Sequence, residues 1–325
     1  MDTAGMRVTR LALRAVGASV VAVAALSLSS GVSRAEPQPD WRYTLVAFNN
    51  TSARDMNVFE SSDAAEFDVL KLAAYRPPVG LVRDPSIFRH TDGWYYVTYT
   101  TGNGANIGFA RSRDRVSWTH LRDWPVPLCC AFLPGTGDGK GPSLPFISGS
   151  AGFKDGPSLS PFTTKAWAPE WFVDDGKVNV ILSMSTGGGF VPYVMTARDA
   201  SLQSWTFPQP LGIRADHIDT TVVKLGGTYH AFTKNETTKV IEHATAPSLR
   251  GPYTFVTPGA WGSLVEGPAL VQLPDGDWRM FLDEYQTGRY LYSDSSDGLR
   301  TWTRPREFTG IPGGVRHFGV VREPA

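Results

Sequence analysis

The chain has 325 residues, and 31 Lys plus Arg balance 31 Asp plus Glu. Ten Trp, 12% aromatic and 42% hydrophobic residues exclude a disordered chain and supply a large core. Only 19% of residues are charged, while Gly (33) and Pro (24) are abundant. That balance is the reverse of a coiled coil or helical bundle and points to an all-β protein with many turns.

At the N-terminus, Arg7, Arg10 and Arg14 precede an uncharged, mostly apolar run over 15–28. Ser33-Arg34-Ala35 follows as a small-x-small cleavage site. Residues 1–35 read as a secretory signal peptide, because the run is short for a membrane span; the alternative is an N-terminal anchor. Residues 36–325 read as one domain with 27 basic and 30 acidic residues. A basic nucleic-acid-binding face is therefore not expected, and nothing later is apolar enough to cross a membrane.

The runs 41–48 and 56–59 read as strands. After them one rhythm recurs four times: strand, tight turn, aromatic strand, loop, strand, and a short Trp- or Tyr-bearing strand. The units begin at Asp84, Ala168, Asp219 and Gly267. Their turns are Asp92-Gly93, Asp175-Gly176, Gly226-Gly227 and Asp275-Gly276, strong hairpin signals between β-rich runs. The last segments are 117–119, 204–206, 251–254 and 301–303. Trp118, Trp205 and Trp302 in them read as packing between units rather than as ligand contacts.

Four antiparallel strands per unit make a propeller blade. The later starts are 51 and 48 residues apart. The longer first step leaves an insertion within 121–165, rich in Gly, Pro and Ser, expected to overhang the channel mouth. It holds both cysteines, Cys129 and Cys130. Adjacent cysteines can form a strained vicinal bridge or a bridge to another molecule, and the other reading is two small buried residues with free thiols. The Gly187-Gly188-Gly189 run lacks the Lys-Ser/Thr of a phosphate loop. Strands from both termini, with 315–322 contributing the last, build a fifth blade and hide the sheet edges. The expectation is an all-β, five-bladed β-propeller.

The blade starts converge at one mouth of a propeller channel, and here they carry acids: Asp84, Asp219 and Glu266, with Glu170 offset by two positions. Three carboxylates around one cavity suit glycoside hydrolysis, in which one acid protonates the leaving oxygen and one carboxylate activates water. A third, placed near the donor, raises its pKa. The bland reading is that these acids cap turns or pair with Arg83 and Arg316.

Five motifs in order carry a resemblance. They are Arg83-Asp84-Pro85-Ser86-Ile87, Trp167-Ala168-Pro169-Glu170-Trp171, Ile218-Asp219-Thr220-Thr221, Val265-Glu266-Gly267-Pro268 and Arg316-His317-Phe318-Gly319. Over nearly all of 36–325 the chain resembles glycoside hydrolase family 43. The resemblance implies a five-bladed propeller and an inverting mechanism on arabinose- or xylose-containing glycans. It implies Asp84 as general base, Asp219 as pKa modulator and Glu266 as general acid. Family members usually read Arg-His-Gly near the end, and Phe318 departs from that.

Two further roles are read beside it. Trp167 suits stacking on a sugar, and Arg316 suits a charge-assisted bond to a sugar hydroxyl or a catalytic carboxylate. Glu170 and His217 are expected to contact substrate, with a channel-wall role the alternative for His217. By resemblance His317 faces a metal ion, often calcium, in the channel; the alternative is a hydrogen bond there. The expected product is a secreted monomer acting on oligosaccharide or polysaccharide, most simply an α-L-arabinofuranosidase. β-D-galactofuranosidase, β-D-xylosidase or a non-catalytic sugar-binding propeller are the rivals.

Overall fold

The structure, a computed structural model, describes residues 40–126, 164–185 and 189–325. The expected signal peptide, Cys129, Cys130, most of the insertion, Gly187 and Gly188 lie outside the described residues. The unit from Pro39 to Ala325 is a five-bladed β-propeller.

The N-terminal strands are β1 (Trp41–Asn49), β2 (Met56–Ser61) and β3 (Asp68–Tyr75). The first complete blade is β4 (Arg83–Arg89), β5 (Tyr95–Thr101), β6 (Asn106–Ser112) and β7 (Trp118–Pro125). The second is β8 (Ala166–Asp174), β9 (Lys177–Ser185), β10 (Phe190–Thr196) and the two-residue β11 (Gln209–Pro210). The third is β12 (His217–Leu225), β13 (Thr228–Asn235), β14 (Val240–Ala246) and β15 (Thr254–Ser263). The fourth is β16 (Glu266–Gln272), β17 (Trp278–Glu284), β18 (Arg289–Ser295) and β19 (Arg306–Glu307). The final strand, β20 (Val315–Pro324), pairs antiparallel with β1 and closes the fifth blade in the order β20-β1-β2-β3. No described helix is long and apolar enough to cross a membrane.

The ring places the first strand of each complete blade, and β20, at its centre. The hairpin turns form where Asp-Gly and Gly-Gly predict them. Both Asp175 (φ +47°) and Gly176 (φ +77°) are left-handed, the backbone a tight hairpin with right-handed twist demands. Two expectations need correction. The fifth blade has a fourth strand, β3, whose mostly exposed residues carry no alternating pattern. The short outer strands also sit further along in three blades. Trp205 makes only an isolated bridge to Ala197 before β11, Trp302 precedes β19, and β15 begins where 251–254 ends.

Burial is organised as five seams, one between each pair of neighbouring blades. The Trp residues fill them. Trp205 of the second blade stacks on Phe109 of the first, with centroids 5.3 Å apart, and Trp302 of the fourth meets Phe232 of the third at 5.4 Å. Trp118 packs into the seam between the fifth and first blades. Phe318 is 1% exposed and packs on Tyr290 and Phe308, so it joins a seam without displacing the strand. Each fully buried large apolar side chain contributes about 1.5–3 kcal/mol, which makes the seams the main stabilising element.

Every inner strand is interrupted at one place. Asp84, Ala168, Asp219, Gly267 and His317 have φ of +51°, +48°, +54°, +59° and +50°. The ladder register shifts across each of them. A β-bulge therefore repeats five times, in the phase of the sequence repeat. Bulges re-aim side chains, and left-handed non-Gly residues cluster at functional positions.

Candidate active site

The bulges turn their residues, and the residue before each, toward one mouth. A cavity of about 210 Å³ opens there. Its walls include Asp84, Asp219, Glu266, Trp167 and His317, together with Arg83, Thr100, Lys234 and Glu236. The three acids singled out in the sequence thus meet, one from each of three blades.

Each acid is anchored differently. The Thr100 hydroxyl donates to Asp84 Oδ2 at 3.0 Å and accepts from the Ala168 N–H at 2.9 Å, tying the first blade to the second. Asp219, 8% exposed, accepts the Gly267 N–H at 3.2 Å. Burial raises its pKa; the charges of His317 and Lys234 oppose this, and Asp84 reinforces it. The His317 Nδ1 lies 3.7 Å from Asp84 Oδ1 and 4.0 Å from Asp219 Oδ2, between the two carboxylates. Gly267 is required beside it, because a Cβ there would stand 3.1 Å from the imidazole.

Glu266 is held by two cations. Lys234 Nζ donates to its Oε2 at 2.7 Å and also meets Glu236 Oε1 at 2.8 Å. Arg316 donates through Nη2 to Glu266 Oε1 and through Nε to Asp283 Oδ2. Burial lowers the Arg316 pKa, against the pull of Asp84. Asp283 is fully buried and also accepts the His317 N–H at 3.2 Å. Burial pushes its carboxyl up to about 7, opposed by the His317 N–H and the Lys234 charge and reinforced by Asp219 and Asp84.

Trp167 stands in the wall with Lys165 Nζ 5.0 Å from its ring and the Phe190 ring tilted against it at 5.1 Å. Gly104 packs so close that a Cβ would lie 2.5 Å from the indole nitrogen.

Two expected substrate contacts lie elsewhere. Glu170 is one pleat deeper in the channel and borders a second, largely apolar cavity of about 200 Å³ with Phe88, Val222, Leu270 and Val321. It is enclosed by protein, although channel solvent still reaches it. Burial pushes its carboxyl up to about 7, opposed by the His317 charge and hydrogen bonds from Ser86 and Thr221. His217 is completely buried. Its Nε2 is 2.7 Å from Glu242 Oε2, and its Nδ1 faces the carbonyls of Arg214 and Ala215. It supports the loop before β12 instead of lining the cavity.

The calcium expected at His317 fits the donors poorly. Calcium takes six to eight oxygen ligands, and His317 offers nitrogen. Among the described residues no three His, Cys, Asp or Glu side chains come together as a metal-binding group.

Lys234, Asp283 and Thr100 were not legible as site residues. They stand directly across the ladder from Ile218, Glu266 and Arg83. The available signal was a polar or charged residue one place before the end of each second strand.

No sequence-family profile matches the chain, and no curated protein does. Solved structures do match. A family-43 β-1,3-galactosidase bound to galactodeoxynojirimycin superposes with a TM-score of 0.59 at 14% identity, over 84% of this chain and 92% of the other. An α-L-arabinofuranosidase from Clostridium thermocellum gives 0.55 at 14% identity, over 79% and 84%. An endo-1,4-β-xylanase from Bacteroides thetaiotaomicron gives 0.52 at 14% identity, over 89% and 96%. The chain has the fold of glycoside hydrolase family 43. The three neighbours carry three different activities, so their shared property is the scaffold.

Proposed function

We propose that the chain is an inverting glycoside hydrolase that removes a terminal furanose or pentose from an oligosaccharide or polysaccharide, α-L-arabinofuranoside first. The observation that carries this reading is the meeting of Asp84, Asp219 and Glu266 in one cavity, Asp84 and Asp219 at the bulges of their inner strands and Glu266 one residue before the bulge of its own. In the proposed reaction Asp84 takes a proton from water as the water attacks the anomeric carbon. Glu266 gives a proton to the departing glycosidic oxygen. Asp219, a buried negative neighbour, favours the protonated donor. Trp167 stacks on the sugar. Arg83 and Lys234 line the same cavity and in this reading hydrogen-bond its hydroxyls. A cavity of about 210 Å³ lined by Asp219 and His317 suits exo attack. The proposal includes export after cleavage at Ala35 and action as a monomer.

The test is release of nitrophenol from α-L-arabinofuranoside, β-D-galactofuranoside and β-D-xyloside, with proton NMR of the first-formed anomer. Release with inverted configuration is expected, fastest on the arabinofuranoside. Retained configuration would remove Asp84 from the base role. No release from any of the three, together with measurable glycan binding, would favour a sugar-binding propeller. The engagement of Glu266 by two cations is the observation on that side.

A further inference from the structure

Asp283 is the least accessible charged group around the site, and the chemistry above does not use it. It lies on β17 directly opposite Glu266. Its Oδ2 accepts both Arg316 Nε–H and the His317 N–H, while its Oδ1 is buried with no hydrogen-bond partner among the described residues. One guanidinium is therefore shared between two carboxylates, Asp283 through Nε and Glu266 through Nη2. An Arg fork left with a single carboxylate closes on it in a bidentate pair, the stronger geometry. The other groups facing Glu266 are Lys234 from β13, Asp219 from β12 through Gly267, His317 from β20 beside Gly267, and Tyr285 just beyond β17. The Tyr285 ring centroid is 4.8 Å from Lys234 Nζ. Glu236 in turn draws on Lys234.

We propose that Asp283 is a positioning residue for the proton donor: it holds the Arg316 fork away from a bidentate grip on Glu266, and so leaves Glu266 able to carry a proton. The inference rests on the glycosidase reading for its consequence, but not for its geometry.

Asp283→Asn keeps the shape and one acceptor and removes the charge. Carbon-13 NMR of the Glu266 carboxyl, assigned with Glu266→Gln, reads the coupling without any substrate. In Asp283→Asn the Glu266 titration is expected about one pH unit or more lower than in the wild type. In Arg316→Lys, whose single ammonium cannot span both acids, it is expected higher. On glycosides, Asp283→Asn is expected to lose about tenfold or more with alkyl leaving groups and under about threefold with nitrophenyl ones. An unmoved Glu266 titration overturns the proposal, as do equal losses on both leaving groups in a variant that melts like the wild type. If Asp283→Asn does not fold, Arg316→Lys decides by the direction of its shift. A wild type inert on every glycoside counts against the glycosidase reading alone, since the titrations still decide the coupling.

Discussion

Lys234 and Arg316 both donate to Glu266. In the proposed reaction Glu266 takes up a proton as one of these contacts loosens, and a sugar hydroxyl entering beside Lys234 would supply the occasion. If Glu266 is the donor, Glu266→Gln will lower kcat/KM by about 10²–10⁴-fold on substrates with alkyl leaving groups and far less on nitrophenyl glycosides, which depart with little protonation. Steady-state kinetics on a matched pair of substrates measures this, and equal losses would take the acid role from Glu266. Asp84, Asp219, Glu266, Trp167, Arg316 and His317 were legible because all lie on inner strands, at the bulge or one residue before it. His217 misled because it is one residue further from the bulge than Ile218, and alternate residues of a strand face opposite sides. Glu170 misled in the other direction: two residues past the bulge, it faces the channel but a pleat below the cavity.

The bulge is the element that makes the site, and Gly267 is where it is tightest. Replacing it with Ala adds a Cβ 3.1 Å from the His317 ring at a φ of +59°. A left-handed Ala costs about 1–2 kcal/mol, and the displaced imidazole should disturb Asp84 and Asp219. Gly226→Ala is the control: its φ is +55° and nothing lies within 4 Å of the added carbon. Both variants should melt several degrees lower, but only Gly267→Ala should lose most of its kcat; parallel losses of activity would show that strain alone is responsible. The hairpins were readable because their turn residues have one mechanical meaning. The outermost strands were not. Trp205, at an isolated bridge, and Trp302, ahead of β19, put their rings in the seams, so an aromatic residue there reports packing and not the position of the outer strand.

The whole ring is closed by β20, and its end is clasped by charge. Glu323, 4% exposed, accepts from Arg42 of its own blade at 2.7 Å and from Arg89 (2.5 Å) and the Tyr95 hydroxyl (2.5 Å) of the first blade. Burial pushes its carboxyl up, but the hydrogen bonds from Tyr95 and Arg42 outweigh it and hold the pKa below the usual range. A depressed folded-state pKa stabilises the fold above the unfolded value, about 4.3 for Glu, and that stability is lost as pH falls through the folded value. Glu323→Gln should therefore lower Tm at pH 7, by an amount equivalent to about 2–4 kcal/mol, and the gap from wild type should shrink as pH falls below about 4. A gap that stays constant between pH 7 and pH 3 would show that the clasp works by shape and not by charge. That both termini share a blade was legible from the unpaired strands at the two ends of the sequence, whereas β3 was not, because its mostly exposed face carries no period-2 signal. The same closure has a mechanical consequence. Trp41 lies opposite Pro324, and the Ala325 N–H donates to the Asp40 carbonyl at 2.8 Å. Tension applied to residues 40 and 325 loads the β1–β20 ladder one rung at a time, as a zipper and not in shear. The strand peeled away first is the one that carries His317 and Arg316, so a pulled molecule would lose one wall of the candidate site while the other four blades were still whole.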